Sequence, residues 1–132
     1  LQSLLRNMRF GEYQLPTDWV SLYPDGKIEP SKKWPARFSF DAIRIPLYLA
    51  WAHDELALQP FVQYWQQFDR YKTPAWVSID GQERAEYNLT PGMMAVRDLT
   101  MKTPIDDVDL SKDTDYYSSA LHLLATFAQN GQ

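Results

Sequence analysis

Cysteine is absent from this 132-residue sequence, and histidine is limited to His53 and His122. Without thiols there is no disulfide framework and no thiolate metal site, and two separated imidazoles exclude a histidine-rich metal cluster. No cofactor or metal is expected. No apolar run reaches the roughly 18 residues that a membrane span needs, and the first residues carry neither the basic nor the apolar region of a signal peptide. The basic residues form no patch or stripe: 13 Lys and Arg are mixed with 17 Asp and Glu, for a net charge of -4. Neither nucleic acid nor membrane is expected as a partner. Also missing are low-complexity tracts, linkers rich in Gly or Ser, and any repeat of fixed period. What is present, 45% apolar and 23% charged residues, fits one soluble globular unit with one core. A chain of this length buries roughly two-thirds of its unfolded surface.

Leu1, Leu4, Leu5 and Met8 recur at helical spacing, which predicts a helix over 1–10 ending at Gly11. Because position 1 is Leu and already helical, the sequence is expected to begin inside a larger protein. Pro16 turns the chain extended, and Trp19 to Tyr23, the turn Pro24-Asp25-Gly26 and Lys27 to Pro30 predict a hairpin. A polar loop over 31–37 leads to a helix starting near Asp41 or Ala42, with Pro46 tolerable in its first turn. The next helix is predicted over 58–70, with Phe61, Tyr64, Trp65 and Phe68 on one face. A second hairpin follows over 75–87, closed by Asp80-Gly81 as a type I′ turn. Thr90-Pro91-Gly92 opens a helix over 93–101. The acidic stretch 103–112 lacks the glycine and terminal glutamate of a calcium loop and reads as solvated. The last helix, 115–129, takes Asp113 or Asp115 as its cap and buries Tyr117, Leu121, Leu124 and Phe127. Asn88-Leu89-Thr90 matches a glycosylation sequon, a pattern too short to weigh. Five helices and two hairpins make a mainly α chain with no parallel-sheet signature.

Between Phe38 and Ala52 every residue is apolar or small except Asp41 and Arg44, so this helix is expected to be covered on most sides. A carboxylate there is costly unless paired, and Arg44 at i,i+3 can pair with and orient it. Two roles stay open for Asp41: a helix cap neutralised by Arg44, or a functional base. The aromatic content, 14%, admits two readings as well: core filling, or flat amphipathic rings that match pyranose faces.

Phe38-Ser39-Phe40-Asp41-Ala42-Ile43-Arg44, with Leu15-Pro16-Thr17-Asp18-Trp19-Val20 upstream, resembles the C-terminal part of glycoside hydrolase family 8. The likeness is nearest to the bacterial endo-β-1,4-glucanases associated with cellulose synthesis. Gly92 to Val96 and Asp115 to Leu121 resemble the family's last helices. The resemblance implies that residues 1–132 are the C-terminal part of one catalytic domain, supplying about five helices of an (α/α)6 barrel. It implies an inverting hydrolase of β-1,4-linked polysaccharide, secreted or periplasmic, in which Asp41 is the general base and Arg44 orients it. Phe40 stands where the family often has a tyrosine that helps hold the water, and Tyr116 and Tyr117 match aromatic positions near the cleaved sugar. Trp19 either lines the cleft rim or packs on the barrel.

The resemblance places the general acid, a glutamate, and a sugar-binding aspartate before Leu1. Glu12, Glu29, Glu55, Glu83 and Glu86 read as solvated carboxylates and offer no substitute. The segment alone is therefore expected to cleave little. Its remaining barrel would come from further chain or from a homo-oligomer partner, because an isolated half-barrel exposes an apolar face. The other reading is a non-catalytic helical module that binds polysaccharide or protein through its aromatics.

Overall fold

A computed structural model describes residues 7–106 and 115–131. Among these residues the chain forms four α-helices and two separate two-stranded antiparallel sheets. The predicted first helix lies mostly outside the described residues. Asn7 is helical, Met8 and Arg9 are not, and Phe10 pairs with Leu15 across a tight turn. Gly11 is part of that turn rather than a helix cap. Its φ is +69°, and a Cβ there would stand 2.0 Å from the Ile79 carbonyl oxygen, so glycine is required on both counts.

The first predicted hairpin forms as read. Strands β1 (Val20–Leu22) and β2 (Ile28–Pro30) pair with Ser21 opposite Glu29, and Asp25 accepts a bond from the Lys27 amide inside the turn. The second sheet differs from expectation. Strand β3 (Arg37–Phe38), expected as loop and helix lead-in, pairs with β4 (Val77–Ser78), Phe38 opposite Val77. The 82–87 segment touches β4 through one bridge, Val77 to Arg84, and a few backbone bonds. The Ser78–Gly81 turn has a left-handed residue only at Gly81. A type I′ turn needs positive φ at both central residues, so the hairpin it would have extended stays irregular.

Helix α1 (Arg44–Trp51) begins after a turn over 41–43, with Pro46 in its first turn as expected. Helix α2 (Glu55–Trp65) starts a turn earlier than its apolar pattern suggested, because Asp54 accepts a bond from the Ala57 amide and caps it. It ends at Trp65, and Arg70–Lys72 form a short 3-10 turn. Of its predicted face, Phe61, Tyr64 and Trp65 are buried and join Phe38 in an aromatic cluster with ring centroids 5.6–6.3 Å apart, while Phe68 lies past the helix end and is half-buried. Such pairs contribute about 0.5–1.5 kcal/mol each beyond area burial.

Helices α3 (Pro91–Thr100) and α4 (Tyr116–Asn130) make the most extensive packing contact among the described residues. Both caps are local in sequence: Thr90 accepts from Met93 N, and Asp115 accepts from Ser118 N. The two helix starts are also tied to each other. Ser118 Oγ accepts the Gly92 amide at 2.8 Å and donates to Thr90 Oγ1 at 3.0 Å. A Cβ on Gly92 would lie 1.8 Å from the Ser118 carbonyl oxygen, so the backbones touch. Of the predicted buried side of α4, Leu121 is buried, Tyr117 is half-buried, and Leu124 and Phe127 are exposed. Ser118, His122, Ala125 and Ala128 are buried in their place, and for Ser118, Ala125 and Ala128 the small side chain suits a contact this close. No described helix is long and apolar enough to cross a membrane.

Candidate functional site

The carboxylate expected to lie deep does not. Asp41 and Arg44 have side chains 48% and 46% exposed, with Arg44 Nη2 at 3.3 Å from Asp41 Oδ1. Arg44 Nε also points at the Asp41 carbonyl oxygen, 3.4 Å away. The correction concerns α1 as a whole. It buries Pro46, Leu47, Leu49 and Ala50 but presents Tyr48 and Trp51 to solvent, so an apolar sequence here has one covered face rather than cover all round. Asp41 is therefore a surface carboxylate, paired on one side and open on the other.

The capping alternative is also resolved, in favour of a different residue. The helix start is held by Asp18, which precedes β1: its Oδ1 accepts the Ser39 amide at 3.0 Å and the Ala42 amide at 2.9 Å. These amides flank Phe40 and Asp41. Asp18 is itself anchored by its amide bond to the Arg37 carbonyl and by buried Leu15, Pro16 and Thr17 just before it. Burial pushes its carboxyl above the ordinary 3.8, and the nearby charge of Asp41 adds to the rise, against the lowering effect of the Ala42 and Ser39 amides.

From the other side, the Tyr117 hydroxyl donates to the Phe40 carbonyl oxygen. Its phenol is pushed up to about 12, first by burial and then by the charges of Asp41 and Asp18, with Arg44 acting in opposition. Tyr117 is thus a neutral donor over the ordinary pH range. The segment 39–42 is gripped from the hairpin side by Asp18 and from α4 by Tyr117.

Of the residues singled out in the sequence, Phe40, Asp41, Arg44 and Tyr117 come together at this clamp. Phe40 is 42% exposed, and Tyr116, first residue of α4, is 89% exposed. Trp19 neither packs inward nor stands alone: half-exposed, it stacks on Trp34 at 5.5 Å with planes 27° apart, next to Asp18 in the chain. Asp18, Tyr48 and Trp34 were not assigned a role from sequence. Asp18 does lie inside the Leu15 to Val20 element, but its partner amides are 21 and 24 residues on, beyond what spacing reveals. Asp106 of the acidic stretch pairs with Arg70 at 3.4 Å, while Asp107 and Asp109 lie outside the described residues.

Residues 1–131 match the model for Glycosyl hydrolases family 8. An endoglucanase from Cellulomonas uda is 47% identical over 106 residues, 80% of this chain and 30% of its own length. A probable endoglucanase from Novacetimonas hansenii is 38% identical over 125 residues, 92% of this chain and 36% of its own. The crystal structure of an endo-β-1,4-glucanase from an Achatina fulica gut metagenomic library superposes with a TM-score of 0.90 at 46% identity, covering 99% of this chain and 42% of that one. The chain thus spans about a third of the length of the curated relatives it matches. Its helices and small sheets account for part of an (α/α)6 barrel.

Proposed function

The chain belongs to family 8 of the glycosyl hydrolases, and from that membership we propose that it is the C-terminal, base-bearing part of the catalytic domain of an inverting endo-β-1,4-glucanase. The observation that carries this reading is the solvent-facing Asp41 carboxylate, paired with Arg44 on a segment held from two sides. Inversion needs two carboxyl groups on opposite faces of the scissile bond, about 6.5–9.5 Å apart, with room for a water beside the base. Asp41 takes a proton from that water as it attacks the anomeric carbon. Arg44 fixes the carboxylate's direction, leaving an oxygen edge free for the water.

The proton donor to the leaving oxygen comes from the part of the protein that the relatives have and this segment does not span. Within the segment, Glu29 pairs with Lys27 at 2.8 Å, Glu55 pairs with Lys102 at 3.1 Å, and Glu12, Glu83 and Glu86 are exposed. Exposed Tyr116 and Phe40 offer ring faces to bound sugars. The substrate is a polymer too large to enter a cell, so the enzyme acts as a secreted or periplasmic protein.

The test measures reducing ends released from carboxymethyl-cellulose by the full-length protein, wild type against Asp41→Asn. A loss of about 10²–10⁴-fold is the expected size of a missing general base. Equal rates remove Asp41 from that role. Binding of cello-oligosaccharides with no cleavage by the wild type would instead favour a carbohydrate-binding module.

A further inference from the structure

We infer that Asp18 is the positioning residue for the Asp41 base: by accepting the Ser39 and Ala42 amides on one oxygen, it fixes the backbone that aims the Asp41 carboxylate at the attacked water. The inference rests on the assignment of Asp41 as base.

An exposed carboxylate at the edge of a helix has no packing to hold its direction. Arg44, 3.3 Å away, orients the side chain, but a half-exposed pair of this kind does not hold the backbone that carries it. The residue's backbone therefore has to be held by something else. The start of helix α1 holds only its carbonyls, the Arg44 amide donating to the Asp41 oxygen at 3.3 Å and the Ile45 amide to the Ala42 oxygen at 3.0 Å, and the N-cap residue, Ile43, makes no side-chain capping bond. Asp18 supplies what is missing. Two amides converge on its Oδ1, one before and one after the Phe40-Asp41 pair, so the short arc between them has its two ends pinned to a single atom.

That atom is itself fixed. The Asp18 amide bonds the Arg37 carbonyl at 2.9 Å, tying it to the strand that enters the arc, and Thr17 Oγ1 bonds the Trp19 carbonyl at 2.7 Å. Keeping a partly buried carboxylate beside a second acidic group is unfavourable, and its upward-shifted proton affinity records that cost. The Ala42 and Ser39 amide bonds act against that cost without cancelling it. The charged and titratable groups around the arc are Asp18 from the hairpin side, Asp41, Arg44 and Tyr48 from α1 and its lead-in, and Tyr117 from α4. Of these, only Asp18 is seen bonding the arc's amides.

Asp18→Ala, Asp18→Asn and Asp41→Asn are compared in the full-length protein on carboxymethyl-cellulose, with kcat and KM measured separately. Misplacing a reacting group by about 1 Å costs about 100-fold, so Asp18→Ala is expected to lose 10- to 100-fold in kcat with KM within about twofold. Asp18→Asn keeps a carbonyl acceptor at the same place and is expected to stay within about threefold of wild type. A role confined to general stability would lower the active fraction of both variants in step with unfolding, and the conservative variant would not restore kcat selectively.

Wild-type kcat in Asp18→Ala overturns the inference. So does a loss in Asp18→Asn as deep as that in Asp18→Ala, which would assign the effect to charge instead of amide acceptance. Should Asp18→Ala not fold, Asp18→Asn decides alone, and a tenfold loss in that folded variant counts against the inference. An active Asp41→Asn would remove the base assignment and the inference with it. An inactive Asp41→Asn beside a fully active Asp18→Ala would remove the inference alone.

Discussion

Asp41 and Asp98 are each gripped by arginine, yet one faces water and the other does not. Asp98 is 1% exposed on α3 and receives Arg70 through both Nε and Nη2, while Arg97 Nη1 bonds its Oδ1 at 3.0 Å. Its oxygens are used up by these donors. Asp41 meets one guanidinium at 3.3 Å and keeps about half its surface open. Bidentate, dry pairing makes a carboxylate a structural fixture, because removing one partner strands the other without solvation. Loose pairing at the surface contributes little to stability but leaves an oxygen free to accept a proton. The same two residue types therefore leave carboxylates of opposite character, and exposure decides which.

The difference is sharpened most by paired losses. Asp41→Asn is expected to reduce glucan hydrolysis by about 10²–10⁴-fold while moving the unfolding midpoint hardly at all. Asp98→Ala is expected to do the reverse in kind. Urea unfolding should show a loss of about 3–5 kcal/mol, since the buried Arg97, whose Nε already lacks a partner among the described residues, would lose its carboxylate, and Arg70 would keep only the looser contact with Asp106 at 3.4 Å. Near-neutral stability in Asp98→Ala would erase the contrast.

A smaller effect comes from Tyr117→Phe, which deletes the donor to the Phe40 carbonyl. It should cost about 1 kcal/mol in unfolding. The wild type adds an alkaline signature. The phenol's folded value is raised from 10.0 to about 12, so its contribution is complete below pH 10 and disappears as pH rises through about 12. Melting curves recorded upward from pH 9 should show that decline in the wild type and lack it in Tyr117→Phe. The smallest effect is in acid. The Asp18 carboxyl is raised above 3.8, so its stabilising contribution is complete below that pH and lost as pH rises through its folded value. The melting temperature of Asp18→Asn relative to wild type should then climb as pH rises past 4, and a falling difference would contradict the burial argument.

What sequence made legible was whatever depends on neighbours along the chain. The Pro24-Asp25-Gly26 turn carried its own chemistry and gave β1–β2. Thr90 with Pro91, and Asp115, announced the starts of α3 and α4. The motif residues Phe40, Asp41, Arg44 and Tyr117 do meet at one place. Illegible were features decided by distant partners. Phe38 found Val77 across the fold, not the lead-in to its own helix. Asp18 took the capping role that spacing offered to Asp41. The exposure of Asp41 was misjudged because a run of apolar letters around Tyr48 and Trp51 says nothing about which of them turns outward. Amphipathic rings tolerate either side, which is why composition alone left the aromatics undecided.

Glycine at position 92 has a reach that its distance from Asp41 conceals. With no side chain between them, two main chains act as a mechanical stop that sets how far the start of α4 stands from α3. Tyr117 hangs on that stop one residue before the point of contact, and the length of its lever to the Phe40 carbonyl is fixed accordingly. A single added methyl would shim the joint and withdraw the hydroxyl from its seat, and if Asp41 is the base proposed above, its aim would be detuned from a distance.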